Sequence, residues 1–258
     1  MRVAMIQAEA GLDKAANITI AVDAIAAAAE HHPDLVMLPE AFMHDFGTPE
    51  TDLAAVAEPL DGSFVGTLTE QARKHQTVVV AGMFETGPDR AHAYNTVVVV
   101  GPDGALVTSY RKAHLYDSFG YRESDRLTAG DSGPVTFAAA GFTCGLMTCY
   151  DLRFPEFARN LVDADAQVLL VPAAWVRGPL KEDHWATLLR ARAIENTCYV
   201  LAAGQCGRRY IGCSMVIDPM GVVVAALGEE SGLVVADVDA ARVTAVRRTN
   251  PSLLNRLR

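Results

Sequence analysis

The chain is short of positive charge: 22 Lys and Arg stand against 31 Asp and Glu in 258 residues, a formal net charge of −9. A partner built on a phosphate backbone calls for a basic patch, so nucleic acid is not expected. The one basic cluster, Arg242, Arg247, Arg248, Arg256 and Arg258, lies in the tail and reads as a solvated helix face or an oligomer contact. Long apolar runs are also missing, and none approaches the roughly 18 residues that cross a bilayer, so no membrane-spanning helix is expected. Cysteine is scarce: Cys144, Cys149, Cys198, Cys206 and Cys213 are odd in number and show neither the close pairs of a zinc site nor a C-x-x-C redox motif. That usage fits a reducing compartment. Residues 1–10 alternate like a strand and reach Glu9 without a sustained apolar core, which reads as fold rather than signal peptide, and a cytoplasmic location is expected. No Ser-, Gly- or Pro-rich linker divides the chain. One domain over 1–258 is expected, with the tail from about 239 to 258 in oligomer contacts.

What remains is an ordinary globular composition, 50% hydrophobic and 21% charged. Short β-branched runs alternate with alanine-rich or amphipathic stretches, the pattern of an α/β protein. Strands are expected near 2–7, 34–38, 77–83, 94–100, 105–110, 142–148, 167–171, 198–204, 213–218, 222–226 and 233–237. Helices are expected over 17–31, 63–75, 155–163, 183–195 and 239–247. In the fourth, Trp185, Leu188, Leu189 and Ile194 share a face, and Asp183 is placed to cap the amino end.

The two halves echo each other. Leu35-Val-Met-Leu-Pro39-Glu-Ala-Phe42 resembles Val168-Leu-Leu-Val-Pro172-Ala-Ala-Trp175, and each half carries a later hairpin with a Pro-x-Gly turn, Pro102-Asp-Gly104 and Pro219-Met-Gly221. Two such halves predict two sheets packed face to face with helices outside. Chance similarity between short apolar runs is the alternative.

Cys149 carries the most information. It sits where the apolar run Phe142 to Met147 gives way to Tyr150-Asp-Leu-Arg-Phe-Pro-Glu156, at the carboxyl end of an expected strand, where open α/β folds gather ligands. A lone cysteine is more often a small buried hydrophobe, so other residues must decide. Glu40 directly follows the buried strand ending in Pro39, where a carboxylate is costly unless paired or working. Lys112 lies just past the strand 105–110. Glu123 falls in the irregular stretch 112–133, which reads as a binding loop.

Leu38-Pro-Glu40, Tyr110-Arg-Lys112-Ala-His-Leu115 and Cys149-Tyr-Asp-Leu-Arg-Phe-Pro-Glu156, in that order, resemble the nitrilase superfamily of carbon–nitrogen hydrolases. The likeness continues through Gly178-Pro179, His184-Trp185, Leu189 to Glu195, Tyr199 to Gly207 and Ser214 to Gly221. It implies a four-layer α-β-β-α sandwich, a Glu-Lys-Cys triad of Glu40, Lys112 and Cys149 with Glu123 as second glutamate, no metal or cofactor, and at least a homodimer. A neutral thiol is a weak nucleophile, so Glu40 would take its proton, while Lys112 and the backbone N–H of Tyr150 would hold the oxyanion.

True nitrilases of the superfamily carry Trp and Glu after the cysteine, so Tyr150-Asp151 directs the expectation to an amide rather than a nitrile. The branches most resembled are the ω-amidases and deaminated-glutathione amidases, which act on small carboxylated amides. The chain departs from the latter at Asp117–Tyr121 and Arg208–Gly212. Trp175 and Arg177 are candidates for an aromatic wall and a carboxylate contact. Arg153 is expected to anchor the nucleophile loop. Three alternatives stand beside this reading: an N-carbamoyl amidohydrolase or nitrilase, a Cys-His pair using His114 or His184, and a silent binding or acyl-carrying member of the fold.

Overall fold

The computed structural model describes residues 1–257; Arg258, part of the tail cluster, lies outside the described residues. The first half of the chain contributes β1 (Arg2–Gln7), α1 (Lys14–Ala29), β2 (Leu35–Met37), α2 (Leu53–Val56), α3 (Ser63–His75), β3 (Val78–Thr86), β4 (Ala93–Val100) and β5 (Leu106–Arg111). A short hairpin, β6 (Asp117–Ser118) and β7 (Tyr121–Arg122), follows. The second half holds β8 (Thr136–Ala139), β9 (Phe142–Leu146), α4 (Pro155–Asp163), β10 (Val168–Ala173), α5 (Lys181–Asn196), β11 (Tyr199–Gly204), β12 (Met215–Ile217) and β13 (Val223–Ala226). Then β14 (Gly232–Asp237) returns to the first sheet, and α6 (Ala240–Thr249) and α7 (Ser252–Asn255) end the chain.

The sheets are mixed and six-stranded, in the orders β14-β1-β2-β3-β4-β5 and β8-β9-β10-β11-β12-β13. In each, three parallel strands are flanked by one antiparallel strand on one side and an antiparallel hairpin on the other. The echo seen in sequence is therefore one of connectivity, with β2 matching β10. Both Pro-x-Gly hairpin turns place their glycine at positive φ, Gly104 at 80° and Gly221 at 79°.

Strand alternation builds the layers. Val3, Met5, Leu35, Met37, Val80, Val97 and Val99 point into a core shared with the second sheet, while Ala4, Ile6, Val36, Leu38, Val79 and Ala81 pack on Ala21, Ile25, Phe64 and Leu68 of α1 and α3. Residues that cover both faces of a sheet explain the near-continuous apolar runs. The result is the expected α-β-β-α order of layers. Among the described residues no helix is long and apolar enough to cross a membrane.

Local differences have local causes. β8 and α2 were not expected, because four-residue segments are too short to show a period. At the start of α5 the cap position is Leu180, at φ 58°, and Asp183 lies inside the first turn instead of capping it. Trp185 and Leu189 are buried on α5, but Ile194 turns outward at 43% exposure, since the face continues through Arg192, Ala193 and Asn196.

Candidate active site

Glu40 lies just past β2, Lys112 just past β5, Cys149 just past β9 and Trp175 just past β10. These strands leave their sheets in one direction, so the four residues gather at one edge of the sandwich. A cavity of about 450 Å³ opens there, lined by Glu40, Glu123, Cys149, Tyr116, Tyr150 and Trp175 among others.

The backbone works hard to present them. Cys149 adopts the left-handed region at φ 46°, a conformation that costs a non-glycine residue about 1–3 kcal/mol and persists only where surroundings impose it. Two anchors impose it here. The buried Asp151 carboxylate accepts from Thr148 N at 2.8 Å, Tyr110 Oη at 2.8 Å, His114 N at 3.1 Å and lies 2.7 Å from His114 Nδ1. Arg192 of α5 donates twice to Leu152 O, at 3.0 and 2.8 Å. Arg153, expected to anchor this loop, lays its guanidinium 4.9 Å from the Trp175 ring centroid, with Nη2 3.4 Å from His184 Nδ1 of α5. Glu40 is set by Ala41 at φ 52° and by Gly82 behind it, where a Cβ would fall 2.5 Å from Ala41 N and 2.6 Å from Glu40 Cα.

The polar side chains form one buried cluster. Lys112 Nζ donates to Glu40 Oε1 at 3.0 Å and to both Glu123 oxygens at 3.0 and 2.9 Å. Glu40 also accepts from Asn95 Nδ2 at 2.8 Å and from Ala174 N at 2.6 Å, while Gln205 Nε2 holds its carbonyl at 2.8 Å. Glu123 accepts from Tyr116 N at 2.8 Å. Burial works against the charge on Lys112, but Glu123 and Glu40 outweigh it and hold the ammonium well above the usual lysine range. Burial raises Glu123 against the pull of Lys112. Burial, followed by the repulsion of the Glu40 carboxylate, pushes the Cys149 thiol well above its ordinary range. The resting sulfur is therefore a neutral thiol beside a carboxylate that can accept its proton.

Neither histidine competes for that role. The His114 ring is committed to Asp151 and stacks on Phe154 with centroids 3.8 Å apart, and His184 Nδ1 lies 3.4 Å from Arg153 Nη2. A carbon-nitrogen hydrolase family model matches residues 2–248.

The chain belongs to the carbon-nitrogen hydrolase family.

It is an amidase of the nitrilase superfamily, acting on C–N bonds other than peptide bonds. Deaminated glutathione amidase of Escherichia coli O157:H7 is 43% identical over 246 residues, 93% of this chain and 91% of that one. Its namesake in Bos taurus is 37% identical over 270 residues, 98% of this chain and 81% of that one. Among solved structures, the NitN amidase from Nesterenkonia sp. AN1 superposes with a TM-score of 0.84 at 30% identity, covering 98% of this chain and 99% of its own. The Caenorhabditis elegans NitFhit protein gives 0.91 at 34% identity, covering 99% of this chain and 64% of its own. Mutants of the Nesterenkonia amidase show a Michael addition of acrylamide at the active site cysteine and a complex with butyramide.

Within this hydrolase the remaining sequence candidates are placed unequally. Tyr150 and Trp175 line the cavity. Arg177 also lines it, but its guanidinium turns to Glu229 at 2.9 Å and the Gly207 carbonyl at 3.2 Å, so its charge is already matched. Sequence reasoning missed Asn95 and Lys181 and quoted Asp151 and Gln205 within motifs without giving them a structural role. Asn95 left a signal, as an amide beside Thr96 in a strand that is otherwise largely apolar, and Lys181 left none.

Proposed function

We propose that the chain hydrolyses a small aliphatic amide bearing a carboxylate, releasing ammonia and a carboxylic acid through a thioester on Cys149. The observation that carries this reading is the buried Glu40–Lys112–Glu123 cluster beside a thiol kept neutral at rest. Such a thiol attacks only if a base removes its proton during the attack. Glu40 takes that proton as Sγ bonds to the amide carbon. The oxyanion is met by Lys112 Nζ and the Tyr150 backbone N–H. Glu40 passes the proton to the leaving nitrogen, the C–N bond breaks and the thioester remains. Glu40 then deprotonates a water that attacks the thioester, and the thiol recovers its proton as the acid departs. Glu123 fixes the Lys112 ammonium and balances its charge, and Tyr150 and Trp175 form walls of the cavity. In the same reading the working unit is at least a homodimer, with the tail from Asp239 in the contact.

The test is ammonia release from a panel of ω-amides, ureido acids and nitriles, with Cys149→Ala as control. Turnover of an ω-amide by the wild type, lost in the variant and accompanied by an acyl adduct on Cys149 in the intact mass, is expected. Activity in the alanine variant equal to wild type would sink the mechanism.

A further inference from the structure

The charges around the cavity do not balance evenly. Arg209 is neutralised by Asp45 at 2.7 Å, Arg177 by Glu229 at 2.9 Å, and Lys112 by its two glutamates. Lys181 is the exception. It lines the cavity at 5% exposure, and its Nζ donates only to Tyr116 Oη at 3.2 Å. No carboxylate among the described residues pairs with it. An ammonium has three donors and is strongly hydrated in water, so burying it with one hydroxyl partner is costly. Three rings partly compensate: Phe119, Tyr116 and Trp175 lie 4.6, 5.1 and 5.2 Å from Nζ.

A second cation deepens the imbalance. Arg153 also lies against this aromatic group, 4.9 Å from the Trp175 centroid, and its Nε is buried with no hydrogen-bond partner. Burial, and then Arg153, lower the Lys181 pKa. The backbone nevertheless holds Lys181 in place, since Leu180 enters α5 at φ 58° and Trp175 Nε1 donates to the Lys181 carbonyl at 3.0 Å. A fixed positive charge with no carboxylate partner, facing the cavity that holds the thiol, is suited to receive an anion. Partly shielded from water, it attracts an incoming carboxylate more strongly than a fully exposed lysine would.

We infer that Lys181 receives the free carboxylate of the substrate, with Arg153 beside Trp175 reinforcing the positive field, so that ω-amides of dicarboxylic acids are preferred over neutral amides. The inference rests on the amide hydrolysis at Cys149 proposed above and assigns the acid contact to a residue other than Arg177.

The experiment compares succinamate, glutaramate and adipamate with butyramide, pentanamide and hexanamide, each pair differing in a carboxylate against a terminal methyl. The wild type is expected to favour the best acid amide over its neutral partner by about 100-fold in kcat/KM. Lys181→Met should reduce that ratio by about 100-fold, mostly through KM, and Lys181→Arg should keep it within about tenfold of wild type. A wild type that hydrolyses neutral amides with no preference for the acids overturns the inference and leaves the amidase reading standing. So does a Lys181→Met variant that slows both members of a pair equally. A wild type that turns over neither class overturns both readings. The wild-type ratio decides by itself if Lys181→Met does not fold.

Discussion

At the residue scale, the site separates two properties of Glu40 that are easily confused. As an anion next to Cys149 it raises the thiol pKa, which leaves less thiolate; in the proposed mechanism it also acts as the base that removes the proton during attack. Glu40→Gln deletes both at once, with opposite consequences. The thiol of the variant should titrate at a lower pH than that of the wild type, read from the pH dependence of alkylation at Cys149. Amide turnover should nevertheless fall by roughly 10²–10⁴-fold, the usual worth of a general base. A variant with a lower thiol pKa and undiminished turnover would show that Glu40 acts only through its charge. The amide also places an N–H donor where Ala174 N now donates to Oε2, which adds a packing cost visible as a lower Tm. Legibility at this scale followed chemistry. Glu40, Lys112 and Cys149 could be found because charged or nucleophilic types stood at strand ends. Lys181 could not, because a lysine at the start of a helix is ordinary in sequence and becomes unusual only when three rings gather around its ammonium.

At the element scale, the turn from β9 into α4 depends on contacts made from outside it. Asp151 ties the nucleophile turn to the segment just past β5 that carries Lys112, so one carboxylate fixes the spacing between thiol and ammonium. Asp151→Asn keeps the shape but turns one acceptor edge into a donor facing N–H or O–H groups. It should cost about 1–3 kcal/mol in denaturant unfolding and lower kcat more than it raises KM. Unchanged kcat with reduced stability would limit Asp151 to a folding role. Gly82 gives the companion prediction on β3. A Cβ there meets the Glu40 backbone, so Gly82→Ala should overpack by about 1–3 kcal/mol and depress turnover, while the Cys149 thiol stays open to alkylation. The hydrophobic pattern revealed that β3 was buried, but not that the chain after β2 crosses it there. Close backbone approaches arise from tertiary packing and leave only a glycine in sequence. The loop 112–133 stood out by its length, and its Tyr116, Phe119, Tyr121 and Glu123 line the cavity, whereas its β6–β7 hairpin was hidden in two-residue strands.

At the scale of the whole molecule, the repeated strand order brings Glu40 and Lys112 of one half to the same edge as Cys149 of the other. Glu40 lies just past the strand β2, and its counterpart β10 ends at Ala173, next to the Ala174 N–H that donates to the Glu40 carboxylate. The two similarly connected halves thus meet through an asymmetric pair. Pattern and motif order made this architecture legible because each strand carried its own period or turn, but the partner surfaces of the assembly have no such periodicity. The tail illustrates this. Three of its described basic residues are tied to the second half: Arg242 pairs with Asp218 at 2.6 Å, Arg256 with Asp163, and Arg247 donates to the Thr197 carbonyl at 3.3 Å. They help hold α6 and α7 against that half. Beside them apolar side chains are exposed, with Leu254 85% exposed on α7, and Ile194 of α5 and Met220 and Val222 of the β12–β13 turn also exposed. Apolar side chains left uncovered in this way mark contact surfaces. In the proposed dimer it is therefore this apolar outer face that is buried, and Leu254→Glu is the substitution to make. Light scattering at micromolar concentration should give a dimeric or larger mass for the wild type and a smaller one for the variant, with the ion pairs behind it keeping the fold intact by circular dichroism. A monomeric wild type would remove the proposed assembly, and an unchanged mass in the variant would move the contact away from the tail.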